Sequence, residues 1–257
     1  MKMYLRLCFS LLMISTFVGA APPPEVLERV SGALNALDSR SFRGSYTMSV
    51  DSVISKKDGS SKKSTEMEIK VEVDAGAREH RHLLRFISNG KDESKKQRKK
   101  IEAEAKDAEK SDDEQEEDFL LPTKRTQERF QFGIPVKEAG RVVMEFQPAQ
   151  GHEKDDGICR GHLAWEETSL DPLWIEADVI KPPKPMREFH LRMEFKRIGD
   201  LLVMHRMSTE GRVKILLMKR NFHMEMRFDD IRVARVQQDP DATPEAPPVG
   251  ASAPSAG

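Results

Sequence analysis

The chain has 257 residues, of which 38% are hydrophobic and 33% charged, a balance too polar for all of it to be packed core. Its 42 basic and 43 acidic side chains leave a formal net charge of -1, so there is no global basic field to draw in nucleic acid or an anionic membrane. One domain with appended segments fits this length better than two large domains.

Residues 1–21 read as an export signal peptide: Lys2 and Arg6 come first, residues 7–18 form an apolar run, and Gly19, Ala20 and Ala21 offer small residues for cleavage. The run is too short to span a bilayer comfortably. Its removal is expected to leave a periplasmic protein with no transmembrane span. Cys8 would leave with it, so Cys159 would have no internal disulfide partner.

Pro22, Pro23 and Pro24 lead into a helix expected over residues 25–37, where Val26, Leu27, Val30, Ala33, Leu34 and Leu37 share one face. That face needs a sheet to lie on. Phe42, Tyr46, Met48 and Val50 alternate with polar residues, a turn follows over 56–64, and Met67, Ile69, Val71 and Val73 alternate in their turn. The two runs read as a hairpin with one wet face. Residues 82–88 supply a third strand before Asn89-Gly90.

From Lys91 to Asp118 the strands stop. The segment is basic at first and acidic later, with too little apolar surface to offset the cost of ordering it. It reads as a solvated insertion, helical where charges pair three or four residues apart, and as the candidate dock for a protein partner.

Phe130, Phe132 and Ile134 resume extended chain. Strands are then expected over 141–147, 159–168, 173–180, 188–197, 201–209, 212–219 and 222–227, with turn residues such as Gly199-Asp200, Glu210-Gly211 and Arg220-Asn221 between them. Short strands at this spacing, without intervening helical patterns, argue for an antiparallel meander and against a doubly wound fold. A sheet of so many strands curls. The expected class is mainly β with α: a curled antiparallel half-barrel with an N-terminal amphipathic helix covering its concave face. The domain would span residues 22–236, with 91–118 inserted, followed by a disordered Pro- and Ala-rich tail over 237–257.

Catalytic motifs are missing: no Gly-x-Ser-x-Gly elbow, no His-Glu-x-x-His, no phosphate-cradling glycine loop. Adjacent acids such as Glu166-Glu167 and Asp229-Asp230 point to opposite faces of an extended strand and cannot share a substrate. His80 with His82, or His152 with Cys159 and His162, would not complete a four-ligand zinc site. No enzyme, cofactor or metal is therefore expected. The late strands are instead rich in methionine, which suits surfaces that take ligands of varied shape as well as ordinary core filling. The candidate wall of an apolar ligand cavity is Trp165, Phe189, Leu191, Met193, Phe195, Met207, Met224, Met226 and Phe228.

The strand Val142-Val143-Met144-Glu145-Phe146-Gln147-Pro148 is followed by Gly161-His162-Leu163-Ala164-Trp165-Glu166-Glu167-Thr168 and Leu173-Trp174-Ile175-Glu176-Ala177. Gly199-Asp200-Leu201-Leu202-Val203 and Met226-Arg227-Phe228-Asp229-Asp230-Ile231 complete the pattern. This layout resembles the LolA/LolB-like periplasmic lipoprotein-sorting superfamily, which includes exported proteins named outer membrane lipoprotein-sorting proteins. The resemblance implies an incomplete barrel whose covered concave face holds the acyl chains of lipids or lipoproteins. It implies transport of lipoproteins to the outer membrane, or alternatively an RseB-like sensor or protein-interaction module. The chain departs from the pattern in having a single convincing lid helix.

Overall fold

The computed structural model describes residues 21–38, 42–56, 58–60, 62–100, 120–182, 185–215 and 218–234. The expected tail, nearly all of the expected signal peptide and most of the charged insertion lie outside them. Among the described residues, no helix is long and apolar enough to cross a membrane, which says nothing of strands.

Helix α1 spans Pro24–Leu34, with Pro in its first turn and Glu25 placed where an acid favours the helix N-terminus. Val26, Leu27, Val30 and Ala33 are its buried stripe. The helix ends three residues before the expected Leu37, because Asn35 takes over the C-terminal cap. Both its backbone N–H and its Nδ2 donate to Ser31 O, at 3.3 and 3.0 Å. Leu37 packs beyond the helix, against the strands near Tyr46.

The strands are β1 (Gly44–Lys56), β2 (Lys63–Val73), β3 (Glu79–Ser88), β4 (Lys91–Asp92), β5 (Phe130–Phe132), β6 (Val136–Glu138) and β7 (Arg141–Pro148). They continue with β8 (Cys159–Glu166), β9 (Pro172–Val179), β10 (Met186–Ile198), β11 (Leu201–Ile215) and β12 (Met218–Val233). All join one sheet of 12 strands in the order β4-β3-β2-β1-β12-β11-β10-β9-β8-β7-β5, with β6 also on β7. Every pair of these strands is antiparallel, and the end strands do not meet. The fold is a curled, unclosed half-barrel of mainly β structure. The long closing strand β12 returns to β1, which joins the N-terminal hairpin to the later meander.

Two expected turns prove to be strand. Glu210-Gly211 lies inside β11 and Arg220-Asn221 inside β12. Gly211 faces Phe189 on one side and Phe222 on the other. A Cβ there would come within 2.1 Å of Glu188 O and 2.9 Å of Phe222 Cε1. Glycine is required at this position by close approach, and not by a turn. Asn89-Gly90 behaves as expected: φ values of 51 and 77° put both residues in the left-handed region of a primed two-residue hairpin turn.

The edge at β3 is blunted by the start of the insertion, where residues 94–100 are helical. Arg98 donates from Nε to Leu83 O and from Nη2 to Leu84 O, both at 2.9 Å, and Phe86 N donates to Ser94 Oγ at 2.8 Å. These bonds occupy backbone groups that would otherwise invite another strand.

Candidate functional site: the apolar face of the half-barrel

Pairing registers place the late apolar residues on one face. Leu191 and Met193 of β10 stand opposite Thr209 and Met207 of β11, and these stand opposite Met224 and Met226 of β12. Across the next seam, Met224, Met226 and Phe228 face Ser52, Val50 and Met48 of β1, and Val50 and Met48 face Met67 and Ile69 of β2. In the other direction Leu191 and Met193 face Ala177 and Ile175, Ile175 faces Leu163, and Leu163 faces Met144. Trp165 stands beside Val142. One apolar surface therefore runs from β2 to β7.

Burial along it is uneven. The larger buried cluster lies between α1 and the β5–β10 part of the sheet, and takes in Trp165, Phe189, Leu191, Met193 and Phe195. Met207 and Phe222 are half-buried against it. The smaller cluster, around Phe42, Tyr46, Ile69, Val71, Val73 and Leu83, has Met48, Met67 and Phe228 half-buried against it. Between them lies a lane on β12 and β1, formed by Met224, Met226 and Val50, which are half-buried and belong to neither cluster. Of the nine expected cavity residues, five are thus in the main packed cluster, and four line or border this lane.

Helix α1 is held over the face by charge as well as by apolar packing. Asp171, in the β8–β9 turn, is mostly buried and accepts two hydrogen bonds from Arg197 of β10, Nε to Oδ2 at 2.7 Å and Nη2 to Oδ1 at 2.6 Å. Arg29 of α1 donates to the same carboxylate and to Ser169 O. The hydrogen bonds from Arg197, followed by those from Arg29, hold the Asp171 carboxyl below its ordinary range against the opposing effect of burial. A cleft of about 560 Å³ opens beside this latch, lined by Arg29, Ala33, Ala36, Phe42, Leu201, Leu202 and Val233 among others. None of the nine expected cavity residues lines it. Sequence reading missed the latch, since Asp171-Pro172 looks like any turn.

The opposite face carries charge. Arg192 lies over Trp174, 5.1 Å from the ring centroid, and donates to Glu176 at 2.9 Å. His162 and Cys159, considered together as metal ligands in the sequence, diverge: Cys159 is fully buried, whereas His162 is exposed. His152 instead bonds Asp155 through Nδ1 at 2.9 Å. His205 is half-buried, and that burial lowers its pKa. Among the described residues, no three His, Cys, Asp or Glu side chains stand together as a metal site.

No family model matches the chain, and no curated protein matches it. Among solved structures it is similar to a domain described as an outer membrane lipoprotein-sorting protein from Vibrio parahaemolyticus, with 11% identity, 82% of this chain and 96% of that one covered, and a TM-score of 0.31. It is also similar to a DUF1329 family protein from Desulfovibrio piger, with 12% identity, 86% and 96% covered, and a TM-score of 0.32.

Proposed function

We propose that this protein is a periplasmic carrier or binding protein that holds lipids, or the acyl chains of lipoproteins, against the apolar face of its half-barrel, in the service of sorting to the outer membrane. The lane of Met224, Met226 and Val50 carries this reading: it is an apolar strip between two packed clusters, left half-buried in a sheet that does not close. Transferring an acyl chain out of water gains about 0.8 kcal/mol per buried CH2 group, so a soluble carrier needs an apolar surface that a long chain can replace water on. Methionines supply one, because their unbranched side chains repack around different guests. The half-buried Met48, Met67 and Met207 border the lane and extend that surface.

Native mass spectrometry of the protein purified from the periplasm, followed by organic extraction, tests the reading. Co-purifying acyl lipid that is lost in Met226→Glu is the expected result. A protein that carries no lipid and binds none when offered vesicles would overturn it.

A further inference from the structure

Thr209 is 3% exposed, and its Oγ1 is fully buried without a hydrogen-bond partner among the described residues. Its neighbours on the apolar face are Leu191 and Met224, directly opposite on the two flanking strands, and Met207 two residues along its own. In the other direction stands Gly211, over which Phe222 leans, its ring 5.8 Å from that of Phe189. A hydroxyl in such a setting has lost water and gained nothing in return, although valine would fill the same volume without that penalty.

We propose that the Thr209 hydroxyl is a fixed polar contact of the ligand lane, donating its hydrogen bond to the acyl carbonyl oxygen of a bound ester- or amide-linked chain. The inference rests on the acyl-binding reading above. An acyl chain offers such a donor one kind of acceptor, its carbonyl oxygen, and everything beyond that oxygen is hydrocarbon suited to the methionines alongside. For a guest to reach the hydroxyl, the flexible neighbours Met207 and Met224 must turn aside. Thr209 thereby fixes how far along the lane the chain slides, with the carbonyl at Thr209 and the tail over Met224 and Met226.

The test uses two fluorescent probes of matched length, a pyrene-labelled fatty acid methyl ester and a pyrene-labelled alkane, titrated into wild type, Thr209→Val and Thr209→Ser. Thr209→Val should weaken the ester about tenfold, the size of one net hydrogen bond, while alkane affinity stays the same. Thr209→Ser should keep the ester affinity. Equal weakening of both probes by Thr209→Val, or no weakening of either, would overturn the role of Thr209 and leave acyl binding standing. Failure of wild type to bind either probe would overturn the acyl-binding reading and this inference with it. Displacement by a dipalmitoyl glycerolipid and by a tripalmitoylated cysteine peptide identifies the source of the carbonyl: the competitor that loses potency in Thr209→Val is the one whose carbonyl Thr209 reads. Loss with neither competitor would also overturn the assignment.

Discussion

Arg197 grips Asp171 through two near-parallel hydrogen bonds of 2.7 and 2.6 Å, and the same carboxylate is shared with Arg29 of the covering helix. The acid belongs to the turn before β9, one base to β10 and the other to α1, so a single buried charge ties the helix to the sheet. Asp171→Asn would keep the shape and remove the charge that both guanidinium groups face. The arginine side chains are 38% and 44% exposed and can rehydrate, so the loss should stay below the roughly 3–5 kcal/mol of breaking a fully buried pair. A loss of about 2 kcal/mol is expected in urea unfolding. An unchanged midpoint would show that apolar packing alone holds the helix.

The same pair sets a pH dependence. The Asp171 carboxyl is held below its ordinary range, chiefly by Arg197, so folding gains from its ionisation. That gain is complete above the unfolded value, near pH 4, and disappears as pH falls through the lower folded value. Wild type should therefore lose stability below about pH 4 more steeply than Asp171→Asn, with the two curves converging in acid. Asp58, Glu72, Asp74 and Asp92 are also lowered and act in the same direction, but they are common to both proteins and cancel in the comparison. Parallel curves down to pH 2 would count against the latch.

The sheet was legible because alternation reports which face a residue takes, and that information is local. Phe189, Leu191, Met193 and Phe195 share a face in sequence and in structure for the same reason. What sequence could not show is how much of that face is covered. Trp165 and Phe189 are core, whereas Met224 and Met226 remain half-buried, and the difference depends on where α1 and the smaller cluster come to rest. Turn chemistry misled at Gly211, since a glycine needed for a close approach of paired strands looks the same as one needed for a turn. Asp171 was invisible as a buried charge because its partners lie 142 and 26 residues away.

Gly211→Ala offers a direct check on that close approach. A methyl group would sit 2.1 Å from Glu188 O, a backbone atom that cannot swing aside. Strands β10 and β11 would have to separate locally, at a cost of about 1–3 kcal/mol, typical of overpacking. Thermal unfolding by circular dichroism would measure it. Were Gly211 only a turn residue at the surface, alanine would be close to neutral.

Cys159 should be inert while the protein is folded. Its thiol is buried, donates to Gly157 O at 3.3 Å, and is pushed up to about 12 by burial and, less, by Asp178. In a Cys8→Ser background, reaction with a disulfide reagent at pH 8 should be slow and limited by opening of the fold, then fast in urea. The unfolded thiol ionises near pH 8.5, so stability contributed by the protonated native thiol is present below that pH and falls as pH rises toward 12. Rapid labelling of the native protein would contradict the burial.

On the outer face, charges alternate across five strands: Glu176, Arg192, Glu194, Arg206, Glu225, Arg227 and Asp51 form successive contacts of 2.9, 3.0, 3.9, 2.9, 3.6 and 3.1 Å. Their number suggests a strong brace, but their exposure argues otherwise, since water and salt compete for every member. Arg206→Gln removes the cation between Glu194 and Glu225 and keeps most of the stem packed on the sheet. The expected loss is under about 1 kcal/mol in dilute buffer, and it should vanish in 1 M salt, where the screening length is about 3 Å. The Asp171→Asn loss, at a side chain only 12% exposed, should persist in the same salt. Unfolding both variants at low and high salt would therefore separate two kinds of ion pair, one that ties the helix to the sheet and one that mainly keeps a broad sheet face soluble. An Arg206→Gln loss that survived 1 M salt would place the outer ladder in the first group.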